Sequence, residues 1–247
     1  MDGWSRKPVM SRKDLAIMLL ISRSGGIIVN IEHNKEGSKS IITPHVLKRW
    51  SGFMAVIAGI LYIVIQFIHP TDDISFVHTN AWVVVACLTM AMSLFNLIGI
   101  TGFFISQAKE AGWLGLVGFL LFNLFWLMSI IFSFIEAFVL PLLTSDAGKF
   151  VEGMAGLFGG TVSEANLGIF PILAPLAGVL YMLGGLLLGI ATLRARVFPR
   201  LAAILLAFAS VVTIAAAIIP HPFDRALAIP MGLALIWMGY AVWSERK

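Results

Sequence analysis

AWVVVACLTMAMSLFNLIGITGFFIS (residues 81–106) runs into QAKEAG (107–112) and then into WLGLVGFLLFNLFWLMSIIFSFIEAFVLPLL (113–143). A helix needs about 20 apolar residues to cross the hydrocarbon of a bilayer, and both runs exceed that. The second, at 31 residues, must tilt or protrude. Working outward, four more runs of the same kind appear: 51–68, 170–193, 198–219 and 226–243. The composition agrees. The 247 residues are 59% hydrophobic and 12% charged, against about 25% charged in soluble domains, too few charges to build a water-facing shell.

Orientation follows from the basic residues. Fifteen of the seventeen Lys and Arg residues lie at or beside one set of ends of the six runs, and only Lys149 and Arg225 fall on the other. Lys and Arg resist translocation, so the expected fold is an all-α, polytopic six-transmembrane-helix bundle of the inner cell membrane with both termini cytoplasmic. The net charge of +4 forms no motif for reading bases, which argues against nucleic acid. Anionic lipid headgroups of the bilayer are the simpler partner. The single cysteine, Cys87, lies inside a span, so no internal disulfide or thiolate cluster can form.

The chain divides into an N-terminal tail, 1–46, and the six-helix domain, 47–247, with an external loop at 144–168. The tail's apolar stretches, Leu15–Ile21 and Ile27–Ile31, are too short to span. It reads as a cytoplasmic segment, disordered or lying on the membrane surface, and an over-extended gene start would look the same. Within the external loop, Phe150, Met154, Leu157 and Phe158 have helical spacing, expected as a short helix that packs on the bundle or serves as a lid. Small residues mark candidate helix contacts: Ala55 with Gly59, Gly185 with Gly189, and Gly112, Gly115 and Gly118. Pro171, Pro175 and Pro230 predict kinks.

Polar residues are costly inside a membrane, and three spans carry them at helical intervals. Tyr62, Gln66 and His69 share one face, Thr89, Ser93 and Asn96 a second, and Ser129, Ser133 and Glu136 a third. These stripes should turn toward one another, either as ordinary interhelical hydrogen bonds or as the lining of a pocket. Glu136 is the carboxylate placed well inside a span, so it must be protonated, paired, or at the outer interface. The candidate ligand-binding set is therefore Glu136, His69, Gln66, Tyr62, Asn96, Ser93 and Ser133.

A second pattern is a repeated exit. His69-Pro70-Thr71-Asp72 ends the first span and His221-Pro222-Phe223-Asp224 ends the fifth, with His78 on the same side. Imidazole and carboxylate together suit a divalent metal, so His69, His221, Asp72, Asp224 and His78 form a candidate metal set. Helix-ending Pro and turn-forming Asp explain the same residues without a metal, and no other cofactor is implied. There is no phosphate-binding glycine loop, serine-hydrolase elbow, dinucleotide fingerprint or His-Glu-x-x-His.

From about Leu47 onward the chain resembles a group of uncharacterised bacterial six-span membrane proteins. The resemblance rests on Arg49-Trp50-Ser51-Gly52, His69-Pro70, the stretch from Ala108 to Gly115, Glu136-Ala137-Phe138-Val139-Leu140-Pro141, and the close from Gly239 to Arg246. It implies fold and location but no activity. Three functions stay open: binding or transport of a small ligand, cation or proton through an outward-facing polar pocket; an outer-leaflet metal-dependent enzyme; or a non-catalytic subunit whose partner supplies the chemistry.

Overall fold

A 64-residue apolar helix, Asn80–Leu143, would be about 96 Å long if straight, three times the hydrocarbon thickness. It is not straight. In the computed structural model, which describes residues 43–71, 73–157, 163–213 and 223–244 (without the side chains of Phe223 and Asp224), the chain reverses at Gly112. The backbone there sits at φ 56° and ψ −153°, a conformation open almost only to glycine. Three contacts establish the reversal. The rings of Phe104 and Phe119 stack with centroids 4.6 Å apart, the hydroxyls of Ser93 and Ser129 lie 2.8 Å apart, and Trp82 bonds to Glu136. Residues progressively farther from the turn on the two arms thus face each other in an antiparallel hairpin.

In chain order the helices are α1 (Pro44–Ile68), α2 (Ile74–Val77), α3 (Asn80–Phe134, whose arms are 80–111 and 113–134), α4 (Leu140–Leu143) and α5 (Gly148–Ala155). After them come α6 (Phe170–Ala195), α7 (Arg200–Val212), α8 (Phe223–Ala226) and α9 (Ile229–Ser244). A π-helical turn, Ile135–Val139, joins α3 to α4. No strand occurs among the described residues. Three helices, Pro44–Ile68, Asn80–Leu143 and Phe170–Ala195, are long and apolar enough to cross a membrane, while α7 and α9 are apolar but shorter. The described residues are thus helical, with apolar helices of the kind a membrane protein carries.

Lipid offers no hydrophobic drive for helix association, so contact depends on close approach. Gly52 and Gly59 of α1 meet Gly239 and Gly232 of α9: a Cβ on Gly52 would lie 2.7 Å from the Gly239 carbonyl, and one on Gly239 would lie 2.7 Å from that of Gly52. The pairing is antiparallel. Gly99 seats Ala55, which brings α1 onto the first hairpin arm, and Gly118 and Gly184 bring the second arm onto α6. Gly185 and Gly189 receive Ser210 and Ala207 of α7. Five of the six glycines flagged by spacing alone have a specific use: Gly112 turns the chain, and Gly59, Gly118, Gly185 and Gly189 admit a neighbouring helix.

Several boundaries differ from expectation. Pro44 opens α1, so 44–46, assigned to the tail, form the helix's first turn, where proline's missing N–H costs nothing. For the same reason Pro171 and Pro230 begin α6 and α9 without kinking them, and only Pro175 lies inside a helix. The 144–168 segment contains α5, whose Val151, Met154 and Ala155 are buried with Val77, Trp82 and Leu140. Residues 1–42, Asp72, Phe158 and 214–222 lie outside the described residues.

Candidate functional site

Two of the three polar stripes meet. Ser93 and Ser129 share a hydrogen bond across the hairpin, and the Ser93 hydroxyl is 2.8 Å from the Thr89 carbonyl. Asn96 and Ser133 are also buried, at 0% and 3% exposure. Asn96 has no protein partner for either amide atom, nor does the indole nitrogen of Trp126. The first stripe splits. Gln66 donates to the Tyr62 carbonyl of its own helix at 3.3 Å. Tyr62 turns to the far side, where its hydroxyl lies 3.2 Å from that of Tyr181 on α6.

This tyrosine pair stands in a cavity of about 580 Å³. Tyr62, Phe125, Ala174, Tyr181, Met182, Ser210 and Thr213 contribute to its wall, together with Pro175, Gly178 and Val179. The last three are exposed, so the mouth opens on the apolar outer surface of α6. Phe122, Phe125 and Trp126 pack around Tyr181, with ring centroids 5.6, 4.9 and 6.4 Å away, and Trp126 also meets Tyr62 edge-on at 5.9 Å. These rings fix both phenols. The Thr213 hydroxyl is 3.5 Å from Tyr181 and 2.8 Å from the Ala209 carbonyl. The walls are hydrocarbon and aromatic, with a short row of hydroxyls on one side. That is the usual character of a site for a mostly apolar small molecule.

Glu136 and His69 come together elsewhere. They line a cleft of about 10 Å³ with Pro70, Trp82, Val85 and Ala86. The local chemistry traces to Pro141. In the π-helical turn the Leu140 N–H bonds the Ile135 carbonyl, five residues back. The next donor in that register would be residue 141, a proline without an N–H, so the Glu136 carbonyl is released. Trp82 Nε1 donates to it at 2.9 Å. The tryptophan thereby ties the open end of the hairpin shut, and π-helical turns recur at functional sites.

Arg225 completes this end. Its Nη1 donates to the His69 carbonyl at 2.7 Å and its Nη2 to the Pro70 carbonyl at 3.1 Å. These carbonyls directly follow the C-terminus of α1, where a cation is favoured. Lys149, the other off-side cation, pairs with Glu164 at 2.7 Å. Both exceptions to the charge asymmetry thus have local anionic or carbonyl partners. His69 Nδ1 lies 2.7 Å from the Pro70 carbonyl and 3.3 Å from Arg225 Nη2. His78 is exposed, with Nδ1 3.4 Å from the Thr144 hydroxyl. At the start of α2, the Ser75 hydroxyl and N–H both donate to Asp73, holding that carboxyl below its ordinary value.

Among the described residues no three His, Cys, Asp or Glu side chains cluster to hold a metal ion. Asp72, His221 and the Asp224 side chain, three of the five candidate ligands, lie outside them. Tyr181 and Trp126 were not singled out by sequence reasoning, and Arg225 stood out only as an exception to the charge asymmetry. A buried tyrosine in an otherwise apolar run was the available signal for Tyr181. No protein-family model, curated protein or solved structure matches the chain.

Proposed function

We propose that this is a six-span protein of the bacterial inner membrane, both termini cytoplasmic, that binds a small amphiphilic molecule drawn from the bilayer. The cavity beside Tyr62 and Tyr181 carries this reading, because its mouth at Pro175, Gly178 and Val179 opens on an apolar surface. An apolar tail would fill the cavity, and a polar head would reach the Tyr62, Tyr181 and Thr213 hydroxyls. Two features support six crossings: the fifteen-to-two split of basic residues, and the antiparallel pairing of the hairpin arms, of α6 with α7 and of α1 with α9. The site differs from the outward-facing polar pocket expected from the stripes. Ser93 bonds across the hairpin arms, Asn96 and Ser133 are buried, and of the seven candidate ligand residues Tyr62 alone lines the cavity.

Gly178 offers a direct test. A Cβ there meets nothing within 4 Å, so Gly178→Leu fills the cavity without displacing a neighbour. Wild type should bind a fluorescent polyene fatty acid saturably, and Gly178→Leu should bind it about tenfold or more weakly while melting at the same temperature. Equal binding by the two proteins would remove the cavity from the account.

A second reading concerns Glu136. Its cleft with His69 has room for about one water molecule, which suits a group that takes up and releases a proton. In reconstituted vesicles, Glu136→Gln should abolish any pH dependence of fatty-acid binding seen in wild type. A pH profile that survives the substitution places the titrating group elsewhere. No observation favours the metal-dependent enzyme or the accessory subunit.

A further inference from the structure

We propose that the groove where α1 meets α9 is a binding site for the phosphate headgroup of an anionic phospholipid. The groove measures about 450 Å³ and is lined by Val46, Arg49, Trp50, Phe53 and Trp243. It lies at the opposite end of α1 from His69 and is separate from the Tyr62–Tyr181 cavity.

Arg49 is the anion-binding group. Its Nε donates to the Trp243 carbonyl at 3.3 Å, which fixes the exposed guanidinium beside the groove. That bond uses one donor, and neither Nη engages another described residue, so the two remaining N–H edges can hold a phosphate in the forked geometry arginine favours. The apolar wall is equally defined. Trp50 and Phe53 meet edge-on at 5.8 Å, Phe53 and Trp243 at 6.0 Å, and Tyr240 adds a ring 6.2 Å from Trp243. Tryptophan and tyrosine gathered at helix ends mark the headgroup level of a bilayer. A cation set among such rings at the foot of two helices matches a lipid whose phosphate faces Arg49 and whose first acyl carbons lie on Trp50 and Phe53.

Charge complementarity selects an anionic headgroup over a zwitterionic one. Lys48 precedes Arg49, and the chain beyond Trp243 reads Ser244-Glu245-Arg246-Lys247, leaving both segments net positive. A choline or ethanolamine group would bring a second cation to this place. A free phosphate would satisfy Arg49 but leave the aromatic wall unused.

The test uses the full chain in detergent, stripped of lipid and titrated under native mass spectrometry. The ligands are phosphatidylglycerol, phosphatidylcholine with the same acyl chains, and inorganic phosphate. Wild type should prefer phosphatidylglycerol about fivefold or more, the worth of one cation near a lipid surface. Arg49→Gln should erase that preference, and Arg49→Lys should keep part of it, because charge remains but the fork is lost. Should Arg49→Gln not fold, the Arg49→Lys comparison decides alone. Equal binding of the two lipids by wild type, or an unchanged preference in the Arg49 variants, overturns the proposal. Displacement of phosphatidylglycerol by equimolar inorganic phosphate also overturns it, by assigning the groove to a free anion.

Discussion

The contact between α1 and α9 and the contact between the two arms of α3 solve the same problem differently. At the first, two glycine pairs, Gly52 with Gly239 and Gly59 with Gly232, bring backbone against backbone. At the second, side chains fill the gap: the Ser93–Ser129 pair, the stacked rings of Phe104 and Phe119, and Trp82 reaching the Glu136 carbonyl. Sequence separation explains the difference. The arms are tethered by a turn at Gly112, so little association energy is needed to keep them together. α1 and α9 stand at opposite ends of the described chain, and their contact must supply its own attraction. In lipid that attraction is dispersion, which requires close and continuous approach.

Gly59→Leu is the harshest way to break the comparison. A Cβ at Gly59 would fall 2.5 Å from the Gly232 carbonyl, a backbone atom that cannot move aside. Forcing α1 from α9 should cost about 3 kcal/mol, read as a lower melting temperature in detergent. A melting temperature within a degree or two of wild type would show that this contact is not what holds α9.

Asn96→Leu probes the first hairpin arm, with a smaller effect of opposite sign. The amide is wholly buried and has no protein partner, so an apolar side chain of similar size should stabilise by about 1 kcal/mol. Destabilisation instead would reveal an internal water bonded to the Asn96 amide.

The Ser93–Ser129 bond is the mildest case. A double-mutant cycle with alanine at both positions should give a coupling of about 0.6 kcal/mol, typical between membrane helices. A coupling indistinguishable from zero would leave the hairpin to its turn and its aromatic packing alone.

Much of the helical architecture was legible in the sequence because the membrane imposes it so strictly. A bilayer satisfies no backbone polar group, so long apolar runs must be helices. The boundaries of α6 came within two residues of the expected 170–193. The reversal between 106 and 113 was equally plain, since Lys109, Glu110 and Gly112 interrupt two spans. The candidate site was less legible. Helical periodicity placed Tyr62, Gln66 and His69 on one stripe, but a stripe wide enough for three residues can touch two neighbours. Tyr62 turned to Tyr181, and His69 to Glu136 and Arg225.

What the sequence determined by itself is that its long apolar runs are helical and that its charge is lopsided, because both follow from local composition and the cost of burying polar groups. Even the release of the Glu136 carbonyl has a local cause in Pro141. Only the tertiary structure decided which helices touch, and therefore which polar groups become partners. The Tyr62–Tyr181 cavity spans 119 residues of sequence and the Arg49–Trp243 bond spans 194. No periodicity within one helix reports on a partner that far away. Shape complementarity at a few glycines does, and it appears only once the helices are assembled.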